Sequence, residues 1–303
     1  MTRGVLLMAY GTAAGSDDVR RYYTHIRHGH PPTPEQLEDL LSRYQAIGGV
    51  SPLADITRQQ AEALQRELDQ REGEGAYSVV LGMKHSPPFI ADGVQTLLER
   101  RIFEAAALVL APHYSAMSVG AYLEEALLAK PRTLELRPIR SWADHPRLID
   151  ILRRRIAAVS KRFTDREREN LPIIFSAHSL PQRILTAKDP YPAELKKTGD
   201  LTAAALHTKN YTFSWQSAGR TREPWMGPDI LEKLTRMHRD GFNQAIICPC
   251  GFVADHLEVL YDLDIQAQEH AQAFGMHIER TPALNADPDF IGLLADLVEG
   301  QWR

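Results

Sequence analysis

In this 303-residue chain, His178 stands where a side chain can do chemistry. It follows the apolar run Ile173–Ala177 and precedes Ser179-Leu180-Pro181, at the carboxyl end of an expected β-strand. A histidine there can act as a base or ligate a metal, because a pKa of ~6.5 leaves one ring nitrogen with a lone pair at neutral pH. The chain has 12 histidines, so a structural role is the competing reading, and position alone separates His178 from the rest. Glu258 and Asp262 are four residues apart and share one face of an expected helix over 254–274, with Gln266 extending the row. A solvated helix face competes here. Against it, Phe252, Leu257, Val259 and Leu260 flank the carboxylates and place them beside a buried region. A carboxylate in such a place, near a histidine, exchanges protons or holds a divalent metal. Tyr10 ends another apolar run, Val5–Ala9, and occupies the position in the first half that His178 occupies in the second.

These side chains need strands and helices to hold them. Four apolar runs in the first half read as buried parallel strands: Val5–Ala9, Tyr77–Leu81, Ala107–Ala111 and Leu134–Ile139. Amphipathic helices are expected over 56–72, 89–101 and 118–129, the last N-capped by Ser118. The second half repeats the plan with strands Ile173–Ala177, Tyr211–Trp215, Ala245–Cys248 and Met276–Arg280, and helices near 146–163, 193–207, 228–239 and 254–274. Strand–helix alternation predicts an α/β protein built from two Rossmann-like domains with four-stranded parallel sheets and a cleft between them. The boundaries expected are 1–143 and 144–303, with the final helix, 287–299, free to pack on either half.

Strand starts at Val5 and Tyr77 lie 72 residues apart, those at Ile173 and Tyr211 only 38. The first half therefore carries about 34 additional residues, an insertion over roughly 16–53, directly after the first strand. Ligands of open α/β sheets bind beyond the carboxyl ends of strands, so the insertion is placed to wall a cleft that Tyr10 and His178 face. Arg27, His28, His30 and Arg43 decorate it, with Tyr22, Tyr23 and Tyr44 interleaved. Guanidinium and hydroxyl groups suit carboxylates, although a basic surface patch is the plainer alternative.

Composition narrows the field. Hydrophobic residues make up 44% of the chain and charged ones 24%, which is ordinary for a globular protein. A net charge of −4 gives no reason to expect a nucleic-acid partner. The longest apolar run, Ala105–Ala111, falls far short of the ~18 residues of a membrane helix, and the start of the sequence has no signal-peptide pattern. A cytoplasmic protein without membrane insertion is expected. Walker, Gly-x-Gly-x-x-Gly, Gly-x-Ser-x-Gly and His-Glu-x-x-His patterns are missing, so nucleotide and hydrolase chemistry lacks support. Cys248 and Cys250 alone cannot complete a zinc or iron–sulfur site and read as core thiols.

Six segments in order resemble the ferrochelatase family over nearly the whole chain: Met8–Thr12, Arg21–Arg27, Arg43–Leu53, Ser176–Pro181, Trp215–Ser217 and Gly251–Asp264. The resemblance implies iron insertion into a porphyrin lying between the two domains. It implies that His178 takes part in metal insertion and pyrrole deprotonation, that Glu258 faces it, and that Tyr10 ligates the product iron axially. Arg27, Arg43, Tyr44, Ser51 and Ser115 are the expected porphyrin contacts. The stretch Arg27–Glu35 is polar and proline-rich, similar to the short bacterial branch that uses coproporphyrin III. Gln266 stands where that branch often has a carboxylate, and the neutral amide weakens the case for any outer metal site. Fe²⁺ is then a substrate, no organic cofactor or iron–sulfur cluster is expected, and product passes to the next haem-pathway enzyme. The alternatives are protoporphyrin IX as substrate, a cobalt or sirohydrochlorin chelatase, and a non-catalytic tetrapyrrole carrier.

Overall fold

The computed structural model describes residues 2–303 and resolves into two compact units, each built on one parallel sheet. The first sheet has the order β2-β1-β3-β4, from β1 (Arg3–Ala9), β2 (Tyr77–Met83), β3 (Glu104–Val109) and β4 (Glu135–Ile139). The second has the order β6-β5-β7-β8, from β5 (Ile173–His178), β6 (Tyr211–Gln216), β7 (Gln244–Cys248) and β8 (His277–Arg280). Every strand pairing is parallel, and the two orders are the same once numbered from each unit's start. The central strands are buried on both faces, which is why they read as unbroken apolar runs rather than as alternation. In β5 every residue is buried until the last, and that last residue is His178.

One strand is displaced from its expected span. β3 starts at Glu104 and ends at Val109, because alanines 105–107 pair with β1 and β4 while Ala111-Pro112 has already left the ladder. Ser118 does not cap the helix Val119–Ala129 with its side chain. Ser115 does the local work instead: its carbonyl accepts from Gly120 N at 2.8 Å and its Oγ accepts from Met117 N at 3.1 Å. The segment expected as one helix over 254–274 divides into a π-helix, Val259–Ala267, and an α-helical turn, Gln268–Ala273.

The second domain, expected as 144–303, is shorter in the structure. The first unit comprises the chain up to Ser141 together with Ala254–Leu257 and Asn285–Arg303, and the second comprises Trp142–Val253 and Glu258–Leu284. The final helix, Pro288–Glu299, packs on the helix Leu53–Glu72 of the first unit. Arg71 fastens it, reaching Asp296 at 2.7 Å, Glu299 at 3.3 Å and the Gly292 carbonyl at 3.2 Å.

The insertion folds as a helical hairpin, Val19–Ile26 and Pro34–Ala46. Its second helix starts with Pro34 after a reciprocal Thr33–Gln36 capping box, which is how a proline-rich turn becomes a helix start. Val19, Tyr22 and Tyr44 form a small apolar cluster with Ala13, so the hairpin is pinned to the loop that follows β1.

Candidate active site

In the second unit, the ring of His178 is held from one side. Its Nδ1 donates to the Ser179 carbonyl in a short hydrogen bond, so Nδ1 keeps its proton in either charge state. That leaves Nε2 as the nitrogen that gains and loses a proton, and Nε2 lies 3.5 Å from Glu258 Oε1. Both side chains are about one-third exposed, 33% and 36%, so the pair is reachable from outside. The rings of Trp225 and Phe252 each lie 6.4 Å from the imidazole, centroid to centroid. Tyr191, buried, donates its hydroxyl to the His178 carbonyl at 3.0 Å and anchors the strand end.

Glu258 reaches this position because β7 turns tightly after Cys248. Gly251 donates its N–H to the Ser176 carbonyl at 3.1 Å, and a Cβ there would lie 2.4 Å from the Cβ of Ala177. Only glycine permits the approach. Glu258 then opens the π-helix. Its wider i→i+5 turns keep Glu258, Asp262 and Gln266 in one row, as expected from the four-residue spacing. Asp262 is buried and accepts a short hydrogen bond from Ser217 Oγ.

Burial alone pulls the His178 pKa down, but the Glu258 carboxylate, its hydrogen bond, the Ser179 carbonyl and Asp262 outweigh it. The result is a pKa pushed up to about 8. The carboxylate thus moves the ring above the ordinary ~6.5 and favours its protonated form in the ligand-free pair.

In the first unit, Tyr10 leaves β1 and is 43% exposed. Its ring lies 4.6 Å from that of His85, which follows β2 as Tyr10 follows β1. Burial, with the charges of Lys84, His25 and His28, pushes the His85 pKa down to about 3. The expected porphyrin contacts differ in availability. Arg27 bonds the His30 carbonyl through Nε at 3.2 Å and lies over Tyr23, and Arg43 pairs with Asp39 at 3.1 Å. Tyr44 is buried with its hydroxyl 3.0 Å from Thr12 Oγ1. Ser51 is 3% exposed and Ser115 is 0% exposed, their hydroxyls taken up by Leu53 N and Met117 N. A cavity of about 750 Å³ opens within the insertion, lined among others by Arg20, Leu37, Leu41, Tyr44 and Val50.

Among the described residues, no three His, Cys, Asp or Glu side chains cluster to hold a metal. The His178–Glu258 pair offers two donors, which suits an ion in transit rather than a resident one. Cys248 and Cys250 are buried free thiols. The sequence did not single out His85, Tyr191 or Trp225, and it marked Ser217 only as part of the segment Trp215–Ser217. His85 was within reach of the strand-end argument that found His178, but its strand was expected to stop at Leu81. Tyr191 and Trp225 are visible only as contacts, as is the pairing of Ser217 with Asp262.

Two parallel sheets of one strand order, with a histidine–carboxylate pair at a strand's carboxyl end, define an α/β protein of two like units with a candidate acid–base site. SirB from Bacillus subtilis with Fe³⁺ superposes with a TM-score of 0.64 at 11% identity, covering 99% of this chain and 96% of that one. CbiX, titled the terminal enzyme for biosynthesis of siroheme in denitrifying bacteria, gives 0.56 at 14% identity, covering 98% and 99%. At such identities the likeness is one of fold. Sequence is more specific: the Ferrochelatase family model matches residues 2–302. A coproporphyrin III ferrochelatase of Geobacillus sp. (strain WCH70) is 44% identical, covering 97% of this chain and 96% of the relative. One of Bacillus mycoides (strain KBAB4) is 45% identical with the same coverage. The chain belongs to the ferrochelatase family.

Proposed function

We propose that this protein inserts Fe²⁺ into coproporphyrin III, giving iron coproporphyrin and two protons in haem synthesis. The observation that carries the reading is the His178–Glu258 pair, in a chain that is 43–45% identical along its length to relatives named coproporphyrin III ferrochelatases.

Metal insertion replaces two pyrrole N–H bonds with bonds to iron. His178 accepts a pyrrole proton on Nε2 once that nitrogen is neutral, and Glu258 takes up the proton it held before. Asp262, held by Ser217, continues the route along the π-helix. The same Nε2 and the Glu258 carboxylate touch the incoming Fe²⁺. Binding at the rim strains the macrocycle and exposes its nitrogens. Arg27 and Arg43 hold propionates, Tyr44 backs the rim from its buried seat against Thr12, and Tyr10 ligates the product iron. The buried Ser51 and Ser115 serve chiefly through the backbone they shape. The reaction belongs in the cytoplasm, where the product is handed to the next enzyme of the pathway. None of the helices among the described residues is long and apolar enough to cross a membrane.

The test is an anaerobic assay with Fe²⁺ and coproporphyrin III, followed by absorption. Repeated turnover supports the reading; stoichiometric porphyrin binding without turnover makes the protein a carrier.

A further inference from the structure

The end of the first sheet that carries Tyr10 holds a histidine pair that the proposed reaction leaves unused. β1 and β2 run side by side and leave the sheet together, Lys84 N donating to Ala9 O at 2.9 Å and His85 N to Tyr10 O at 3.0 Å. The Tyr10 and His85 rings are tilted at 59° with centroids 4.6 Å apart. Behind them, His85 Nδ1 lies 3.0 Å from Nδ1 of His25, on the helix Val19–Ile26 of the insertion. The His25 ring is itself stacked on Phe89, centroids 5.2 Å apart at 26°.

We propose that His25 is a positioning residue for the iron porphyrin: sharing one proton with His85, it fixes that ring's tautomer and tilt, and through the ring it seats the phenol of Tyr10. This rests on the reading of Tyr10 as the ligand of the product iron.

Two imidazole Nδ1 atoms at hydrogen-bond distance bond in one way only. One must carry the proton and the other the lone pair, since two N–H groups or two lone pairs repel. The contact therefore holds the accepting ring as the Nε2–H tautomer and keeps a proton on Nδ1 of the donating ring. His85 is buried, so an unmade bond there would go uncompensated by water. Once bonded, the His85 ring cannot turn about its Cβ–Cγ axis without breaking the link. Tyr10 is exposed on one side and has this fixed ring as its wall on the other. A side chain walled before the ligand arrives loses less rotamer freedom on binding.

Nitrogen-15 NMR of the ligand-free protein reads the tautomers directly. One of the two rings is expected as Nδ1–H; both rings as Nε2–H would overturn the pairing. Titration with iron coproporphyrin then reads the consequence. His25→Ala should weaken binding by roughly five- to tenfold, the range of one lost hydrogen bond, and move the product's absorption toward that of Tyr10→Phe. His25→Gln, which can bond His85 again, should restore most of both, a recovery that a folding defect would not give. In a Tyr10→Phe background, His25→Ala should add nothing. If Tyr10→Phe changes the product spectrum and His25→Ala leaves it as wild type, the role of His25 is wrong and that of Tyr10 stands. An unchanged Tyr10→Phe spectrum overturns both.

Discussion

His178 donates through Nδ1 to the carbonyl of Ser179 and meets the Glu258 carboxylate through Nε2 at 3.5 Å, so the backbone fixes one nitrogen and leaves the other to titrate. A base built this way always presents the same atom to its substrate. His178→Ala should therefore lower kcat for iron insertion by roughly 10²–10⁴, the usual worth of a positioned acid–base group, while porphyrin binding persists. Glu258→Gln keeps the shape and removes the charge, and should cut kcat severely too. Near-wild-type turnover in the alanine variant, measured with saturating porphyrin, would remove His178 from the mechanism.

The raised pKa gives a pH dependence of known sign. The neutral ring is the form that accepts a proton, so kcat/KM should climb as pH rises through about 8. In Glu258→Gln the opposing burial dominates, and the His178 pKa should fall below that of the wild type in an NMR titration. Stability runs the other way. A folded pKa of about 8 against ~6.5 unfolded gives a contribution fully present below the unfolded value and lost as pH rises through the folded one. Between these values Tm should decline more steeply in wild type than in His178→Ala. A kcat/KM that is flat between pH 6 and 9 would contradict the assignment of the base.

Gly251 makes a test of geometry. With a Cβ 2.4 Å from that of Ala177 and 2.8 Å from its Cα, Gly251→Ala must push β7's exit loop off β5. The expected costs are about 1–3 kcal/mol in stability, by denaturant titration, and a fall in kcat larger than in porphyrin affinity. Wild-type kcat in a folded Gly251→Ala protein would mean that Glu258 does not depend on this close approach.

Substrate choice should follow the arginines of the insertion. Coproporphyrin III has four propionates and protoporphyrin IX has two, and a well-formed charge-assisted hydrogen bond is worth roughly 1.5–3 kcal/mol. Two such bonds correspond to roughly two or more orders of magnitude in kcat/KM, in favour of coproporphyrin III. Arg43, on the helix Pro34–Ala46, must exchange part of its pairing with Asp39 for a propionate, so Arg43→Ala should narrow the gap between the two porphyrins. Steady-state kinetics on both, without detergent where solubility allows, decides it; equal preference would leave the arginines no role in selection.

The sequence by itself determined the architecture and the places of its candidate residues at strand ends. Central strands buried on both faces leave continuous apolar runs, and eight strand patterns in all, separated by helical ones, predict two parallel sheets and locate Tyr10 and His178 at strand ends. A four-residue spacing was enough to put Glu258 and Asp262 in one row, since both α- and π-helical turns keep such residues together. Three things needed the tertiary structure. The charge state of His178 was beyond reach because it depends on an ion pair between residues 80 apart in the chain, acting against burial. The seat of the final helix was open because its own apolar pattern does not say which half it meets, and it is settled by packing on Leu53–Glu72 with Arg71 reaching Asp296 and Glu299. The His25–His85 contact was invisible because it joins the insertion to the end of β2, and no local pattern in a chain with 12 histidines marks which two will meet.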